Sequence, residues 1–566
     1  MSMLIERSQK EVVLALGARN EHALSRNGHE RDELRARAER AIARAVAARG
    51  VWRARWRTCQ IAWVLGWLAL CLFLENYDAR ARYQQRVRLK QREEARRRGA
   101  VSRLQFWSRD LGARARDLLI RAARAVLFGA RSASPGGEAR LVKQARWFKQ
   151  QLIRLGPTFI KIGQALATRA DLLPLAYIRE LETLQDQVPP FAVEQARATL
   201  EGELGRGVEE AFAEVEWTPI AAASLGQVHR AKLHTGEDVA VKIQRPHLEE
   251  TVSFDIAVLR RVVAFLARHP QLNENADWSG MLDEFTETIF EEMDYVREAQ
   301  NADRFRENFQ TWRAVHVPKI YWTHTTTRVL TMEFIRGTKV TDLEALRARR
   351  ISPVKVNRLL VRTYLKQLLE DGFFHADPHP GNLLVMDDGR LAFFDFGMVG
   401  RITPHLQSLM VDAFFHVINR EVHALADDLF KLNFLKPGFD PEFVRPVIEK
   451  LFEKHLELKL GEVNFKELTY ELADVVYAYP FRLPANFTYI MRALMTLEGI
   501  GLITDPEFNF FDTARPYAKR LVLQREGRQL RRTLAAKILG RNGNEPMDWG
   551  RIWKLTKWAA RAYLES

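Results

Sequence analysis

Cysteine is nearly absent from this 566-residue chain, which contains only Cys59 and Cys71. Two cysteines cannot build a disulfide framework or a structural metal site of thiolates, so the protein is expected to be intracellular. Long apolar runs are also scarce, and the single one present excludes a polytopic membrane protein. The first residues lack an apolar core followed by a cleavage site, so no secretory signal peptide is predicted.

The overall composition is that of a globular protein, with 47% hydrophobic and 28% charged residues. The length predicts roughly two to four domains. Charge is unevenly distributed, because residues 1–150 carry a net charge of +19 within a total of +15. A basic arm on a slightly acidic body predicts contact with an anionic surface, either nucleic acid or lipid headgroups.

The apolar run extends over seventeen uncharged residues, Thr58 to Leu74, at the lower limit for a transmembrane helix. Arginines precede it, and Trp56, Trp63 and Trp67 lie in or beside it, a combination typical of a membrane interface. Three interpretations stay open: an inserted or interfacial segment, a single span, and a helix packed on the body of the protein. The protein is therefore expected to associate with a membrane, peripherally or through one N-terminal insertion.

Two other parts of the N-terminal region have simple patterns. Asp32 to Arg49 has helix-forming composition with few large apolar residues, which predicts a solvated helix or disorder. Asp78 to Ala100 carries nine basic and three acidic residues, which suit a solvated face or contact with anionic lipid. Nucleic acid is not expected as a partner, because no zinc-knuckle, ribonucleoprotein or helix-turn-helix motif is present. A loop at Ser132 to Gly137 marks the boundary of this region, residues 1–137.

The rest of the chain has the alternation of a two-lobed α+β protein. Helical periodicity at 140–155 and 157–168 is followed by two strand-like segments, 228–233 and 239–244, and a predicted helix over Leu282 to Phe305. Short strands then give way to an almost wholly helical sequence after Gly400. We therefore predict a helical extension at 138–215, an N-lobe at 216–340, a C-lobe at 341–515 and a basic tail at 516–566, with a cleft between the lobes.

Two aspartates and an asparagine stand in two short motifs. Asp377 and Asn382 are five residues apart in a turn-forming stretch, and Asp395 follows thirteen residues later in a Phe-Asp-Phe-Gly segment. An oxygen-only set of this kind suits Mg²⁺ held against nucleotide phosphates, rather than zinc or copper. Their order, D-x-x-x-x-N, a hairpin and then D-F-G, is the arrangement of kinases.

The preceding sequence holds the expected partners of these residues. Lys242 ends a strand in Val-Ala-Val-Lys and is predicted to bind nucleotide phosphates, with Glu292 of the following acidic helix holding it in place. Thr331 to Ile335 resembles the hinge between the lobes. There Met332, Glu333 and Ile335 are predicted to border the adenine.

Two further segments depart from ordinary protein kinases. In place of a glycine-rich loop the chain has Ala221, Ala222, Ala223 and Ser224, which predicts a stiffer cover over the phosphates. An amphipathic helix that begins at Pro157 places Lys161 and Gln164 on one face. Ala376 stands where protein kinases have the arginine of H-R-D, and no A-P-E segment follows the D-F-G motif.

Taken together, these motifs resemble the UbiB/AarF/ADCK family of atypical kinase-like proteins over roughly residues 140–515. They include Lys161-x-Gly-Gln164, the alanine-rich loop, Glu292-x-Asp294, and the Asp377 and Asp395 motifs. The C-terminal sequence, with Leu483 through Arg492, Glu498-Gly499-Ile500 and Asp505-Pro506, resembles the cyanobacterial and plastid branch more closely than the proteobacterial ubiquinone branch. The resemblance implies a protein-kinase-like fold with an N-terminal helical extension and helical C-terminal additions. It also implies that the helix carrying Lys161 and Gln164 acts as a regulatory lid over the cleft.

The resemblance implies a function as well. It predicts binding of ATP or ADP with Mg²⁺ at Lys242, Asn382 and Asp395, with Asp377 as catalytic base. ATPase-like activity would then support isoprenoid-quinone or prenyl-lipid metabolism at a membrane, together with quinone-biosynthesis proteins. Two alternatives stay open. One is a small-molecule kinase, suggested by the His-x-Asp-x-His-x-x-Asn pattern that ends at Asn382. The other is a nucleotide-gated scaffold for a biosynthetic complex.

Overall fold

The computed structural model describes most of the body of the protein and two N-terminal helices. The described residues are 32–45, 47, 55–68, 70–71, 138–167, 173–185, 189–268, 278–419, 421–432, 446, 485–505, 508–510, 512–517 and 520–521. The basic stretch at 78–100, the boundary loop at 132–137 and most of the basic tail lie outside these ranges.

A small antiparallel sheet forms the N-lobe. Its strand order is β1-β3-β4-β6, with β2 paired to the other end of β3. The two central strands alternate buried and less buried residues, as expected for a sheet with one face on a core. Residues His234–Glu237 form the turn that joins them, and both strand predictions are confirmed. The strands of this sheet are β1 (Glu214–Val215), β2 (Ala221–Ala222), β3 (Gly226–Lys232), β4 (Asp238–Gln244) and β6 (Val329–Glu333). Strand β5 (Val315–His316), which precedes β6 in the chain, belongs to a sheet of the C-lobe.

Helices surround this sheet. The helix predicted over 282–305 is in fact two helices, because the chain leaves the helical path at Met293 and Asp294. Asp294 is the N-cap of the second helix, where its carboxylate accepts a hydrogen bond from the Arg297 N–H. This break decides which carboxylate reaches the cleft. The helices are α6 (Val193–Leu204), α7 (Val208–Ala211), α8 (Leu248–Ala267), α9 (Trp278–Glu292) and α10 (Tyr295–Phe309).

The C-lobe is mainly helical and packs around the short strands that carry the predicted site. Strand β5 joins a four-stranded sheet of order β5-β10-β9-β7, and β8 pairs with β11. One core cluster runs from α10 through the C-lobe to the last long helix. The elements are β7 (Thr338–Lys339), α11 (Leu343–Ala348), α12 (Pro353–Lys366), β8 (Phe373–His375), β9 (Leu383–Val385), β10 (Leu391–Phe393), β11 (Val399–Arg401), α13 (Pro404–Asn419), α14 (Val422–Lys431) and α15 (Ala485–Thr504).

The helical extension covers one side of the N-lobe. It contains α3 (Glu138–Leu155), α4 (Pro157–Ala167) and α5 (Leu175–Glu182), followed by a 3₁₀ turn at Thr183–Gln185. Both helices predicted here are confirmed. Gly163 of α4 is needed for close packing, because a Cβ there would lie 2.4 Å from a Leu184 methyl carbon and 2.8 Å from one of Leu152.

Residues 32–45 form a helix, α1, that is packed on the N-lobe instead of solvated. Leu34 and Ile42 are buried with residues of α8 and α9. Arg37 donates a 2.9 Å hydrogen bond to Asp294, the N-cap of α10. The small apolar face predicted from composition is therefore sufficient for docking, because ion pairs border it.

Part of the apolar run also packs on the protein. Residues 55–68 form a helix, α2, whose Ile61 and Val64 are buried in the core of the extension. Arg57 makes two 2.9 Å hydrogen bonds to the fully buried carboxylate of Asp255. Trp63 on the opposite face is more than half exposed. Among the residues that the structure describes, no helix is both long and apolar enough to cross a membrane.

Candidate functional site

The nucleotide-binding lysine predicted from sequence is held by a buried glutamate. Lys242 Nζ lies 2.9 and 2.8 Å from the two carboxylate oxygens of Glu298 on α10. The prediction that Glu292 holds Lys242 is wrong, because α9 ends at Glu292 and the chain turns before α10 begins. Glu298, four residues after the Asp294 cap, is the residue that faces β4.

The charges around Lys242 keep it protonated. Burial acts to lower the pKa of Lys242, but the Asp395 and Glu298 carboxylates outweigh it and raise this pKa above its ordinary value. Burial raises the pKa of Glu298, and the Lys242 contact offsets only part of that effect. The ammonium group also lies 5.0 Å from the centre of the Tyr295 ring, within the range of a cation–π contact.

Asp395 of the C-lobe lies next to Lys242 of the N-lobe. Its Oδ2 is 3.9 Å from Lys242 Nζ, and its Oδ1 accepts a 3.0 Å hydrogen bond from the Gly397 N–H. Burial acts to raise the pKa of Asp395, but Lys242 and the Gly397 N–H outweigh it, so this pKa is below its ordinary value. Asn301 of α10 donates to the Phe396 carbonyl, which fixes this motif against the helix that carries Glu298.

The loop with Asp377 is fixed by buried polar contacts. The Asp377 N–H donates to Nδ1 of His375, and Tyr364 donates to the His375 carbonyl. Asn382 Nδ2 donates to the Asp377 carbonyl at 3.1 Å, so its amide oxygen is available as an acceptor or a metal ligand. The carboxylates of Asp377 and Asp395 both act on the pKa of His375, which places them close to the same buried ring.

Asp377 has a partner that the sequence interpretation missed. Arg492 of α15 donates to its Oδ1 at 3.2 Å, and both side chains are more than four-fifths buried. The two residues are 115 positions apart, and no local pattern around either one signals the contact.

The alanine-rich loop forms a tight β-hairpin with the start of β3. Ala221 and Ala222 form β2, and the Ala223 N–H bonds to the Gly226 carbonyl to close the turn. Arg245 is a second residue that sequence reasoning missed. Its guanidinium donates to the carbonyls of Ala223 and Ser224.

The predicted hinge residues lie at the end of β6. Met332 is buried in the main core, and Ile335 is half-buried. The Glu333 carboxylate accepts hydrogen bonds from His316 and from the Lys319 N–H. These contacts hold the side chain against the C-lobe sheet. An adenine here would therefore meet the backbone of this segment rather than the Glu333 side chain.

The two predicted lid residues are both anchored. Lys161 forms an ion pair with Glu292, and its charge is close enough to Asp395 to lower the pKa of that carboxyl. Gln164 donates to the Leu184 carbonyl at 3.4 Å. Glu292 thus joins the extension to the N-lobe at the cleft, rather than holding Lys242.

The donor groups fit Mg²⁺ in the presence of a nucleotide. Asp395 is partly exposed, with a side-chain accessibility of 40%, and the Asn382 amide oxygen has no hydrogen-bond partner among the described residues. Mg²⁺ is usually bound by one or two carboxylates together with substrate phosphates and water. Within the described residues, no three His, Cys, Asp or Glu side chains form a metal-binding group.

Comparison with known proteins identifies both halves of the body. Residues 183–429 match the model of the ABC1 atypical kinase-like domain, and residues 448–509 match that of the UbiB helical domain. A Synechocystis relative, described as an uncharacterized protein, is 37% identical over 88% of this chain and 78% of its own length. The chloroplastic protein ACTIVITY OF BC1 COMPLEX KINASE 7 of Arabidopsis thaliana is 39% identical over 69% of this chain and 57% of its own length.

The chain is also similar to a solved structure. It is a complex of a Mycobacterium tuberculosis protein with erythromycin, 23% identical, which covers 72% of this chain and 96% of its own, with a TM-score of 0.43. The matched domains, the relatives and the cleft between the lobes lead to one assignment: the chain belongs to the ABC1/UbiB family of atypical kinase-like proteins.

Proposed function

We propose that this protein binds ATP with Mg²⁺ and cleaves its terminal phosphoryl group at a membrane surface, in support of isoprenoid-quinone or prenyl-lipid metabolism. One observation carries the catalytic part of the proposal. Lys242, held by both oxygens of Glu298, lies 3.9 Å from Asp395. A lysine, its carboxylate partner and a metal-binding aspartate in this order are the elements that position phosphates in kinases.

Each residue then has a defined task. Lys242 orients the phosphates, and Asp395 and Asn382 would hold Mg²⁺, which neutralises charge on the phosphate oxygens. Asp377 orients the attacking hydroxyl or water and accepts its proton. The alanine-rich hairpin and the extension exclude bulk water from the cleft. Most of the rate enhancement would come from this positioning and from electrostatic stabilisation.

The membrane part of the proposal is supported by the outer face of α2 and by the charge of the N-terminal region. Trp56 and Trp63 are 69% and 57% exposed, and Trp63 packs against Trp67 and Trp147 at centroid distances of 6.5 and 5.4 Å. Exposed tryptophans beside arginines suit a headgroup region, and the net charge of +19 over residues 1–150 favours anionic lipid. The quinone or prenyl-lipid substrate rests on the family resemblance.

The test is Mg²⁺-dependent ATP turnover by the full chain, with and without anionic liposomes. Asp395→Asn should abolish turnover, whereas Asp388→Asn, the same change in the exposed β9–β10 turn, should leave it intact. Liposomes should raise the wild-type rate. Radiolabel that moves from ATP to a prenyl alcohol would identify a kinase. Nucleotide binding with turnover no greater than that of Asp395→Asn would contradict catalysis and favour a nucleotide-gated scaffold.

A further inference from the structure

The guanidinium of Arg492 has more hydrogen-bond capacity than the protein uses. Its Nη2 donates to Asp377 Oδ1 at 3.2 Å, and within the described part of the chain this is its one hydrogen bond. A guanidinium has five N–H donors. The side chain is 15% exposed, and none of its nitrogens is among the buried unpaired atoms of the described residues, so the remaining donors are open to solvent and to a ligand. The site is therefore prepared for a ligand that accepts several hydrogen bonds.

A ligand that accepts hydrogen bonds from a cationic guanidinium is expected to be an anion. Lys242 is paired with Glu298, and Lys161 is paired with Glu292. The loop next to Asp377 contributes no permanent cation, because Ala376, Pro378 and His379 flank it. An anionic phosphate that approaches Asp377 would meet carboxylate repulsion unless another cation neutralised it. Arg492 is placed to do so.

The position of Arg492 is fixed by a rigid element. Its neighbours on α15, Ile490 and Ala493, are buried in the main core. Thr288 of α9 acts on the pKa of Tyr489, one turn earlier, which places these two side chains close together. The helix thus contacts both the Asp377 loop and an N-lobe helix, so the guanidinium is held where the two lobes meet.

We propose that Arg492 binds the terminal phosphoryl group of the nucleotide, an inference that rests on the proposed function. One N–H stays on Asp377 while others bind the phosphoryl oxygens, for which the planar guanidinium is well suited. In the transfer step the bond between the γ-phosphorus and the β–γ bridging oxygen breaks, and a bond to the acceptor oxygen forms. The acceptor proton goes to Asp377, and ADP leaves with the bridging oxygen.

The proposal predicts a difference between two nucleotides, which can be measured without turnover. ATP and ADP affinities are determined with the full chain and Mg²⁺ by displacement of a fluorescent nucleotide. Arg492→Gln should weaken ATP binding about 10- to 100-fold and change ADP binding less than about twofold, because only ATP has the γ-phosphate. Arg492→Lys keeps the charge but cannot donate two parallel hydrogen bonds. Its ATP affinity should therefore lie between those of the wild type and Arg492→Gln. Arg515→Gln, on the C-lobe surface beside Asp512, is the matched control.

The other outcomes are distinct. Equal losses of ATP and ADP affinity would show that Arg492 only positions the Asp377 loop, and would overturn the proposal. Faster turnover with unchanged ATP affinity would overturn it in favour of an autoinhibitory contact. If the wild type binds both nucleotides and Arg492→Gln alters neither affinity, this inference fails and the proposed function stands. If the wild type binds neither nucleotide, the proposed function itself fails. If Arg492→Gln does not fold, Arg492→Lys tests the proposal alone. A lower ratio of ATP affinity to ADP affinity than in the wild type would support the proposal, and an unchanged ratio would overturn it.

Discussion

Glu298 holds Lys242 with both of its carboxylate oxygens, 2.8 and 2.9 Å from Nζ. This contact depends on where α10 begins, which is set by the Asp294 cap. Asp294 also accepts a hydrogen bond from Arg37 of the N-terminal helix α1. The geometry of Lys242 is thus connected, through one cap residue, to a segment more than 200 residues earlier in the chain.

Replacement of Glu298 by Gln should destabilise the protein and weaken nucleotide binding. The change leaves the Lys242 ammonium buried without the carboxylate to which it is hydrogen-bonded, which costs about 3 kcal/mol of unfolding free energy. Asp395 would then attract Lys242 away from the phosphates. Urea unfolding and nucleotide titration measure the two effects. Glu307→Gln, an exposed position on the same helix, should change neither. Wild-type affinity in Glu298→Gln would refute the role of this pair.

The Lys161–Glu292 pair should couple the extension to the N-lobe. Lys161→Met and Glu292→Gln each remove one charge from a mostly buried pair. A double-mutant cycle should give a coupling energy of about 1–3 kcal/mol, and hydrogen exchange in α4 should rise in both single variants. Lys143→Met, on the exposed face of α3, is the control. Strictly additive effects of the two substitutions would show that the pair contributes nothing.

Arg245→Lys should loosen the alanine-rich hairpin although it keeps the charge. The guanidinium reaches the carbonyls of Pro189, Ala223 and Ser224 together, which one ammonium group cannot do. Amide exchange in the hairpin should become at least about tenfold faster, because about 1.4 kcal/mol corresponds to a factor of ten. ATP affinity should fall with it. Arg336→Lys, an exposed pair with Asp238, should leave both quantities unchanged. Unaltered exchange in Arg245→Lys would contradict this role.

Gly226 should not accept a side chain. A Cβ at this position would lie 2.5 Å from the Tyr295 hydroxyl oxygen and 2.6 Å from the Ile243 carbonyl oxygen. Since a backbone carbonyl cannot move aside, Gly226→Ala should cost about 3 kcal/mol in unfolding free energy. Addition of Tyr295→Phe should restore part of this loss. Gly202→Ala, in open space on α6, should instead stabilise by up to about 1 kcal/mol. Equal stability of Gly226→Ala and the wild type would contradict the packing.

His375 should make the fold sensitive to mild acid. Burial lowers the pKa of His375 below its ordinary value of 6.5, despite the opposing effect of Asp395 and Asp377. Below 6.5 the unfolded chain binds a proton that the folded protein rejects, so stability falls as pH falls, by at most about 1.4 kcal/mol per pH unit for one histidine.

The corresponding measurement is the urea midpoint between pH 7 and pH 5. His375→Asn keeps an acceptor for the Asp377 N–H and does not titrate, so its midpoint should fall less steeply with pH than that of the wild type. His229, whose pKa is also lowered by burial, accounts for part of the remaining slope. Parallel pH curves for the two proteins would contradict the prediction.

The sequence predicts those parts of the site that depend on local spacing. Asp377, Asn382 and Asp395 lie in one strand–turn–strand unit, so their order alone brings them together. The prediction of Glu298 as the partner of Lys242 requires knowledge of where α10 begins. Asp294 is a residue type typical of an N-cap, and this signal could have placed the helix start at Tyr295 and directed attention to Glu298.

Contacts between distant segments could not be predicted in this way. Arg492 and Asp377 meet because α15 packs across the C-lobe, and Arg245 meets Pro189 because the extension folds back on the hairpin. Such pairs follow from tertiary packing, and a single sequence contains no periodicity that records them. The docking of α1 was missed for the same reason, since its binding surface is built from residues far along the chain.

The docking of α1 and α2 also has a consequence for biosynthesis. Arg57 and Asp255 are 198 residues apart, and Arg37 and Asp294 are 257 apart. At about 5–20 residues per second on the ribosome, α1 emerges roughly 10 to 50 s before its partner. During that interval the apolar face around Ile42 has no docking surface, whereas Ile61 can already pack on the extension. The nascent chain therefore exposes the apolar face of α1 until α8 and α9 of the N-lobe have been translated.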